Sequence, residues 1–169
     1  MVEKYRCRGC GYLHVGPAPE RCPVCGAPQG MFDSYEGPGD LTGTKTQENL
    51  LAAFAGESQA NRVYKLFRRI AELEGAPRSV LEAFDRAARE ETAHALGHLA
   101  YLGKYGTTSE NLQTAAGGED YECTDMYPSF AETAEAEGFS DIAYYFRSVG
   151  RFEQEHRDEY RDALEELGS

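Results

Sequence analysis

Two short phrases, Glu91-Thr-Ala-His94 and Glu153-Gln-Glu-His156, recur in a chain of 169 residues. In a helix, residues three apart share a face, so each phrase brings an oxygen donor and a nitrogen donor to one point. A further carboxylate precedes each at similar range: Glu57 lies 34 residues before Glu91, and Glu122 lies 31 before Glu153. Two helical hairpins, each giving one Glu from its first helix and Glu-x-x-His from its second, form a ligand set for two metal ions in a four-helix bundle. A single Glu-x-x-His is weak evidence in a chain so rich in Glu. Two, each with its own core-facing Glu, are a strong signal.

A second donor set lies near the N-terminus. Cys7-x-x-Cys10-Gly11 and Cys22-Pro-x-Cys25-Gly26 are two Cys-x-x-Cys turns, with eleven residues between Cys10 and Cys22. Four thiolates so spaced suit a tetrahedral zinc or iron ion, and spacing alone does not choose between them. Gly11 and Gly26 can adopt positive φ, which lets the backbone fold its amides toward the sulfurs. Two disulfides are disfavoured in a chain with no export signal. His14, in the intervening loop, reads as a hydrogen-bonding residue and not a fifth ligand. About 36 residues hold too little core to fold unaided, so metal binding should be part of the module's stability.

The elements that position these groups follow from periodicity. Leu50, Phe54, Glu57, Asn61 and Tyr64 recur at three- and four-residue steps, which puts a carboxylate on an apolar stripe. Val80, Phe84, Ala87, Glu91, His94, His98 and Leu102 repeat the device after a turn at Gly75 to Ser79, where Pro77 cannot continue a helix and Ser79 can cap one. Glu119, Glu122, Met126 and Phe130 share a face of a third helix, with Asp125 beside it and Pro128 expected to loosen it around Asp125 to Tyr127. Ile142, Phe146, Val149, Glu153, His156, Tyr160 and Leu164 form the longest stripe. An ionised Glu on such a face is very costly unless a cation compensates it, which again points to bound dications. His98 reads as a core histidine, Cys123 as a packed thiol, and Tyr64 and Tyr127 as candidate hydrogen-bond donors to the metal carboxylates.

The domain plan is a cysteine module at 1–36, a linker at 37–45 and a helical domain at 46–169. Gly37-Pro-Gly-Asp-Leu-Thr-Gly-Thr44 has the composition of a hinge, with Thr44 and Gln47 able to cap the first helix. The module is thus expected to be able to sit away from its own hairpin. In one closed bundle the second and third helices would run parallel, and the return path would be about 28 Å. Residues 103–110 reach only about 26 Å at full stretch. A later helix start at Gly117-Gly118 would relieve this; a dimer that exchanges hairpins is the favoured alternative.

A net charge of −12 disfavours partners bound through phosphates, so neither nucleic acid nor an anionic membrane surface is expected. No apolar run approaches the length of a membrane span, and Met1 to Cys7 has no apolar signal core, so a cytoplasmic chain is expected.

The phrases "NLLAAFAGESQANRVY", "EETAH", "GGEDYECTDMYPSFAETAEAEGF" and "FEQEH" resemble the rubrerythrin family. "YRCRGCGYLHVGPAPERCPVCGAPQ" resembles that family's short rubredoxin-like module. The module stands before the bundle, as in the reverse-order members. The resemblance implies a mainly α chain: a ferritin-like four-helix bundle, expected to be domain-swapped, behind a rubredoxin-like Fe(Cys)4 module. It implies a non-haem di-iron peroxidase that reduces hydrogen peroxide to water, fed by an external electron-donor protein or reductase. Cys7, Cys10, Cys22 and Cys25 would hold the mononuclear iron. Glu91 and Glu153 would bridge the di-iron pair, Glu57 and Glu122 would be terminal, and His94 and His156 would give nitrogen. Asp125 would stand where the family has a seventh, exchanging carboxylate, with one methylene less reach. The rivals are a ferroxidase or iron-storage protein, and a zinc ribbon on a helical metal-binding scaffold.

Overall fold

In a computed structural model, residues 2–168 are described, and they divide into two compact units, 2–104 and 105–168. In the first unit, β1 (Lys4–Cys7) pairs antiparallel with β2 (Leu13–Val15) on one side and β3 (Phe32–Ser34) on the other. Its core is small: Cys7, Cys22 and Phe32, flanked by Tyr5, Tyr12, Val24 and Ala27. Two of those core residues are metal-site cysteines, so ligand cage and hydrophobic core are the same object.

The first hairpin follows as α1 (Lys45–Leu73) and α2 (Arg78–Leu102). Thr44 caps α1 by accepting from the Gln47 amide at 3.1 Å, and the Gln47 side chain accepts from Gly43 N–H in return. Gly75 turns the chain at φ 69°, and Pro77, not Ser79, occupies the N-cap of α2. Its ring pre-sets φ, and its carbonyl already accepts from Val80 N–H, so the helix begins two residues before Ser79 could cap it.

The two helices meet through small residues. Asn61, Ala71, Ala88 and Ala95 are buried, and Asn61 donates to the Ala88 carbonyl and to Thr92 Oγ1. Phe67 and Phe84 meet edge-on at 6.0 Å. Leu66, Ile70, Leu73, Val80 and Leu96 stay exposed, which leaves apolar area uncovered on this hairpin.

The cysteine module does not sit away from this hairpin: it is seated on α2. β2 packs against α2, and the Tyr101 hydroxyl donates to the Gly11 carbonyl at 2.6 Å. The segment expected to be a hinge carries hydrogen bonds of its own, Thr42 N–H to Asp40 Oδ1 at 2.9 Å and Thr44 Oγ1 to Leu41 O at 2.8 Å.

The second unit holds α3 (Thr108–Tyr121), a π-helical turn (Glu122–Met126), α4 (Tyr127–Ala136) and α5 (Ser140–Gly168). Thr107 and Glu110 form a reciprocal capping box, so α3 starts well before Gly117-Gly118. The π turn ends two residues before Pro128, where a helix was expected to loosen; Pro128 has no N–H to continue the ladder, and Tyr127 N–H bonds Glu122 O. Tyr127, Phe130 and Phe146 cluster with ring centroids 5.7 to 6.3 Å apart. On another side, Arg157 and Arg161 both reach Asp120, at 3.1 and 3.2 Å.

Asn61→Ala removes a buried donor that ties α1 to α2. It should destabilise the metal-loaded protein by about 1 to 3 kcal/mol, read as a lower urea midpoint with unchanged helix content.

Candidate metal centres

The four cysteines converge. Cys7 Sγ lies 3.7 Å from Cys25 Sγ, and Cys10 Sγ lies 3.7 Å from Cys22 Sγ. Tetrahedral thiolates at about 2.3 Å from an ion stand about 3.8 Å from each other, so the cage fits one. Gly11 and Gly26 adopt φ 80° and 72°, and the amides that follow them, of Tyr12 and Ala27, bond to Cys10 and Cys25. The glycines therefore act as the sequence suggests. Without metal the thiols are unlike: burial and neighbouring thiols push Cys10 up to about 12, while the Ala27 amide brings Cys25 down to about 7. Burial also raises Cys22. His14 Nδ1 lies 3.5 Å from the Tyr12 hydroxyl, a hydrogen-bonding residue and not a ligand.

On the first hairpin, Glu57, Glu91 and His94 bring one ligand atom each within 4.8 Å of the others. His94 Nδ1 is 2.8 Å from Glu91 Oε2. Two donors sharing an ion at about 2.1 Å and near right angles are about 3 Å apart, so this pair fits a common metal. Glu57 is raised, first by the hydrogen bond it shares with Glu91 and then by burial.

On the second hairpin the group is Glu119, Glu153 and His156, again within 4.8 Å, with His156 Nδ1 2.7 Å from Glu153 Oε2. The carboxylate expected there was Glu122. Glu119 and Glu122 sit one turn apart on the same stripe, and the widened π turn begins at Glu122, so the last regular α turn belongs to Glu119. A signal was present: Glu119 precedes Glu153 by 34 residues, the same interval that separates Glu57 from Glu91. Glu122 remains close enough to raise Glu119, after burial and Glu153. Asp125 is exposed and accepts from Thr124 Oγ1 at 2.7 Å.

Tyr127 is raised by burial and then by Glu122 and Glu153, which holds its phenol protonated beside the carboxylates. Tyr64 is half-buried two turns beyond Glu57. Cys123 Sγ contacts Asp120 O at 3.4 Å and Arg157 Nη1 at 3.7 Å, outside the ligand group. His98, whose pKa is lowered by burial and then by His94, lines a cleft of about 180 Å³ with His94, Gly97, Tyr101, Cys10, Tyr12 and Val24. Gly97, Tyr101 and Tyr12 escaped sequence reading, although His94, Gly97, His98 and Tyr101 follow an i, i+3, i+4, i+7 pattern. Carboxylate, imidazole and thiolate donors in these numbers are a set suited to iron.

Residues 48–164 match the family described as rubrerythrin, and residues 5–33 match the rubrerythrin, rubredoxin-like domain. The chain is 42% identical to a rubrerythrin of Porphyromonas gingivalis over 133 residues, 71% of this chain and 66% of that one. It is 39% identical to rubrerythrin-1 of Clostridium acetobutylicum over 144 residues, 75% and 73% of the two chains. Reverse rubrerythrin-1 of the same organism is 36% identical over 137 residues, 72% and 75%. Relatives of both kinds of name match similar shares of the chain, so the names do not assign it to the reverse-order group.

Metal must displace protons from Cys10 and Cys22. The affinity of the cysteine site for zinc should therefore fall by at least about 100-fold per unit of acidification below neutrality, measured by competition with a chromophoric chelator. In the metal-free carboxylate sites, Glu57, Glu119 and His156 all have raised folded-state values. Their stabilisation is present at low pH and lost as pH rises through those values, so metal-free protein should weaken from the carboxylate range through neutrality. Bound metal should remove that slope in denaturant unfolding followed against pH.

Proposed function

Because the chain belongs to the rubrerythrin family, we propose that it is a non-haem di-iron peroxidase reducing hydrogen peroxide to water. The carrying observation is the combination of a four-sulfur cage and a carboxylate–histidine triad within one compact unit. A ferroxidase or storage protein has no use for the cage, and a purely structural zinc ribbon has none for the triads. Glu57, Glu91 and His94 would hold one side of the di-iron centre and Glu119, Glu153 and His156 the other, Glu91 and Glu153 being the carboxylates paired with a histidine in each group. The seventh carboxylate, three residues beyond the terminal one, is then Glu122 in place of Asp125.

The overall reaction takes one peroxide, two electrons and two protons to two waters. Iron, when bound, supplies the redox equivalents. The chain's own groups manage the protons: Glu57 and Glu119 have raised affinity for them, and the Tyr127 phenol, protonated beside Glu122 and Glu153, is a donor in reach. Tyr64, half-buried on the Glu57 face, would orient a carboxylate there. An external electron-donor protein or reductase refills the cysteine centre.

The complete centre joins hairpins from two copies of the chain. Placing Glu91/His94 and Glu119 at one level in a parallel pair of helices needs a return of about 28 Å. Between Leu102 and Thr108 the chain spans about 20 Å at most. Each hairpin also leaves large apolar residues exposed, such as Leu66, Leu96, Phe130 and Ile142, which a second copy would cover. Four of the five free cysteines converge in the cage, a use of thiols that fits a reducing cytoplasm, and among the described residues no helix is long and apolar enough to cross a membrane.

Iron-loaded, reduced protein should be reoxidised within seconds by one equivalent of peroxide and far more slowly by dioxygen. Faster reaction with dioxygen would favour the ferroxidase. Glu119→Ala should lose about half of the carboxylate-site iron, whereas Asp125→Asn should keep all of it. Sedimentation at micromolar concentration should give a dimer; a monomer with a full iron complement would refute the exchange.

A further inference from the structure

The face of α2 turned to the cysteine module is a continuous stripe, His94, Gly97, His98 and Tyr101, starting at a residue of the candidate metal triad. At its centre, a Cβ built on Gly97 would stand 3.0 Å and 3.3 Å from the Tyr12 ring carbons Cδ2 and Cε2. Gly97 is buried within a regular helix, with no positive φ to account for it. Glycine in a helix interior is less favourable than alanine, so its place here is explained by the ring it admits. One turn on, Tyr101 donates to the carbonyl of Gly11, the residue between Cys10 and Tyr12. Tyr101 also meets Tyr35 edge-on at 6.3 Å, so it touches the module at two points. Cys10 and Val24 of the module share one small cleft with His94 and His98 of the helix.

We propose that Gly97 and Tyr101 are positioning residues that seat the cysteine centre on α2 of its own chain, so that electrons cross from the Cys10 edge to the metal held by that chain's His94. This rests on the peroxidase reading and names the route by which that site is refilled. One electron leaves the reduced four-cysteine centre, which is oxidised by one unit, and the ferric carboxylate centre is reduced by one unit. Two such transfers, each replenished by the external donor, complete a turnover. The route belongs to the chain that supplies Glu57, Glu91 and His94, whichever chain supplies the other half.

The test uses the full-length, iron-loaded protein and the variants Gly97→Ala, Gly97→Leu and Tyr101→Phe. Two readouts are followed. Limited proteolysis reports seating, through the cleavage rate in the segment 37–43. Flash reduction of the cysteine centre by a photo-generated one-electron donor reports transfer, through the decay of that centre's own absorbance.

Wild-type protein should show first-order decay independent of concentration. Gly97→Leu should slow it at least tenfold and speed proteolysis by a similar factor, with the visible spectrum of the cysteine centre retained. Gly97→Ala and Tyr101→Phe should show smaller changes in the same order, and they carry the test if Gly97→Leu does not fold. Unchanged proteolysis and decay in all three variants would overturn the proposal. Faster proteolysis with unchanged decay would also overturn it, by showing that electrons take another path. In mixed dimers, cysteine-centre loss by Cys10→Ser and Cys25→Ser placed on the chain whose partner carries His94→Ala should abolish transfer to the remaining site. Retained transfer would assign the route to the partner's module. Reoxidation by peroxide of chemically reduced protein bypasses the cysteine centre, so the peroxidase reading can stand or fall independently.

Discussion

Ionisable groups set on apolar helix stripes govern this molecule. Glu57, Glu91, Glu119 and Glu153 occupy positions at which a hydrophobic residue would complete the pattern, and each stands within reach of another acid or an imidazole. Like charges at such range cannot all ionise in a partly desolvated place, so the sites hold protons or cations. The raised proton affinities of Glu57 and Glu119 are the metal-free expression of that conflict. Bound dications resolve it, and the same repulsion then becomes the affinity of the site.

The cysteine module answers a similar constraint by other means. Its hydrophobic core consists largely of its own ligands, Cys7 and Cys22 among them, with Phe32 beneath. Strands of three and four residues cannot hold such a fold without the central ion. Rigidity around the sulfurs comes from the amides after Gly11 and Gly26. Rigidity of the module as a body comes from α2, through Tyr12 against Gly97 and Tyr101 on Gly11. The helix that presents His94 is therefore also the helix that fixes the sulfur cage.

Much of this was legible in the sequence, for reasons that can be named. Cys-x-x-Cys and Glu-x-x-His are local patterns whose geometry follows from one turn of backbone, and the stripes around them are visible as apolar periodicity. Thr44 with Gln47 was legible as a cap for the same reason. The choice between Glu119 and Glu122 was not settled by periodicity, because both satisfy it; it depends on where the helix stops being α. The seating of the module was hidden because it depends on an absent side chain. Gly97 reads as a weak helix residue until the ring opposite it is known, and a glycine-rich segment such as 37–43 reads as a hinge until its hydrogen bonds are seen.

The π turn at Glu122–Met126 bears on more than the register of one carboxylate. A residue more per turn than an α-helix carries advances the phase of everything after it, by about 100° for each residue added. α3 and α4 therefore lie end to end but do not present the same meridian to α5. Before the turn, the meridian facing α5 carries Glu119, against Glu153 and His156; after it, the meridian carries Tyr127 and Phe130, against Phe146. One continuous rod thus shows its neighbour an acidic segment and then an aromatic one, and the change of phase draws the border between ion chemistry and aromatic packing.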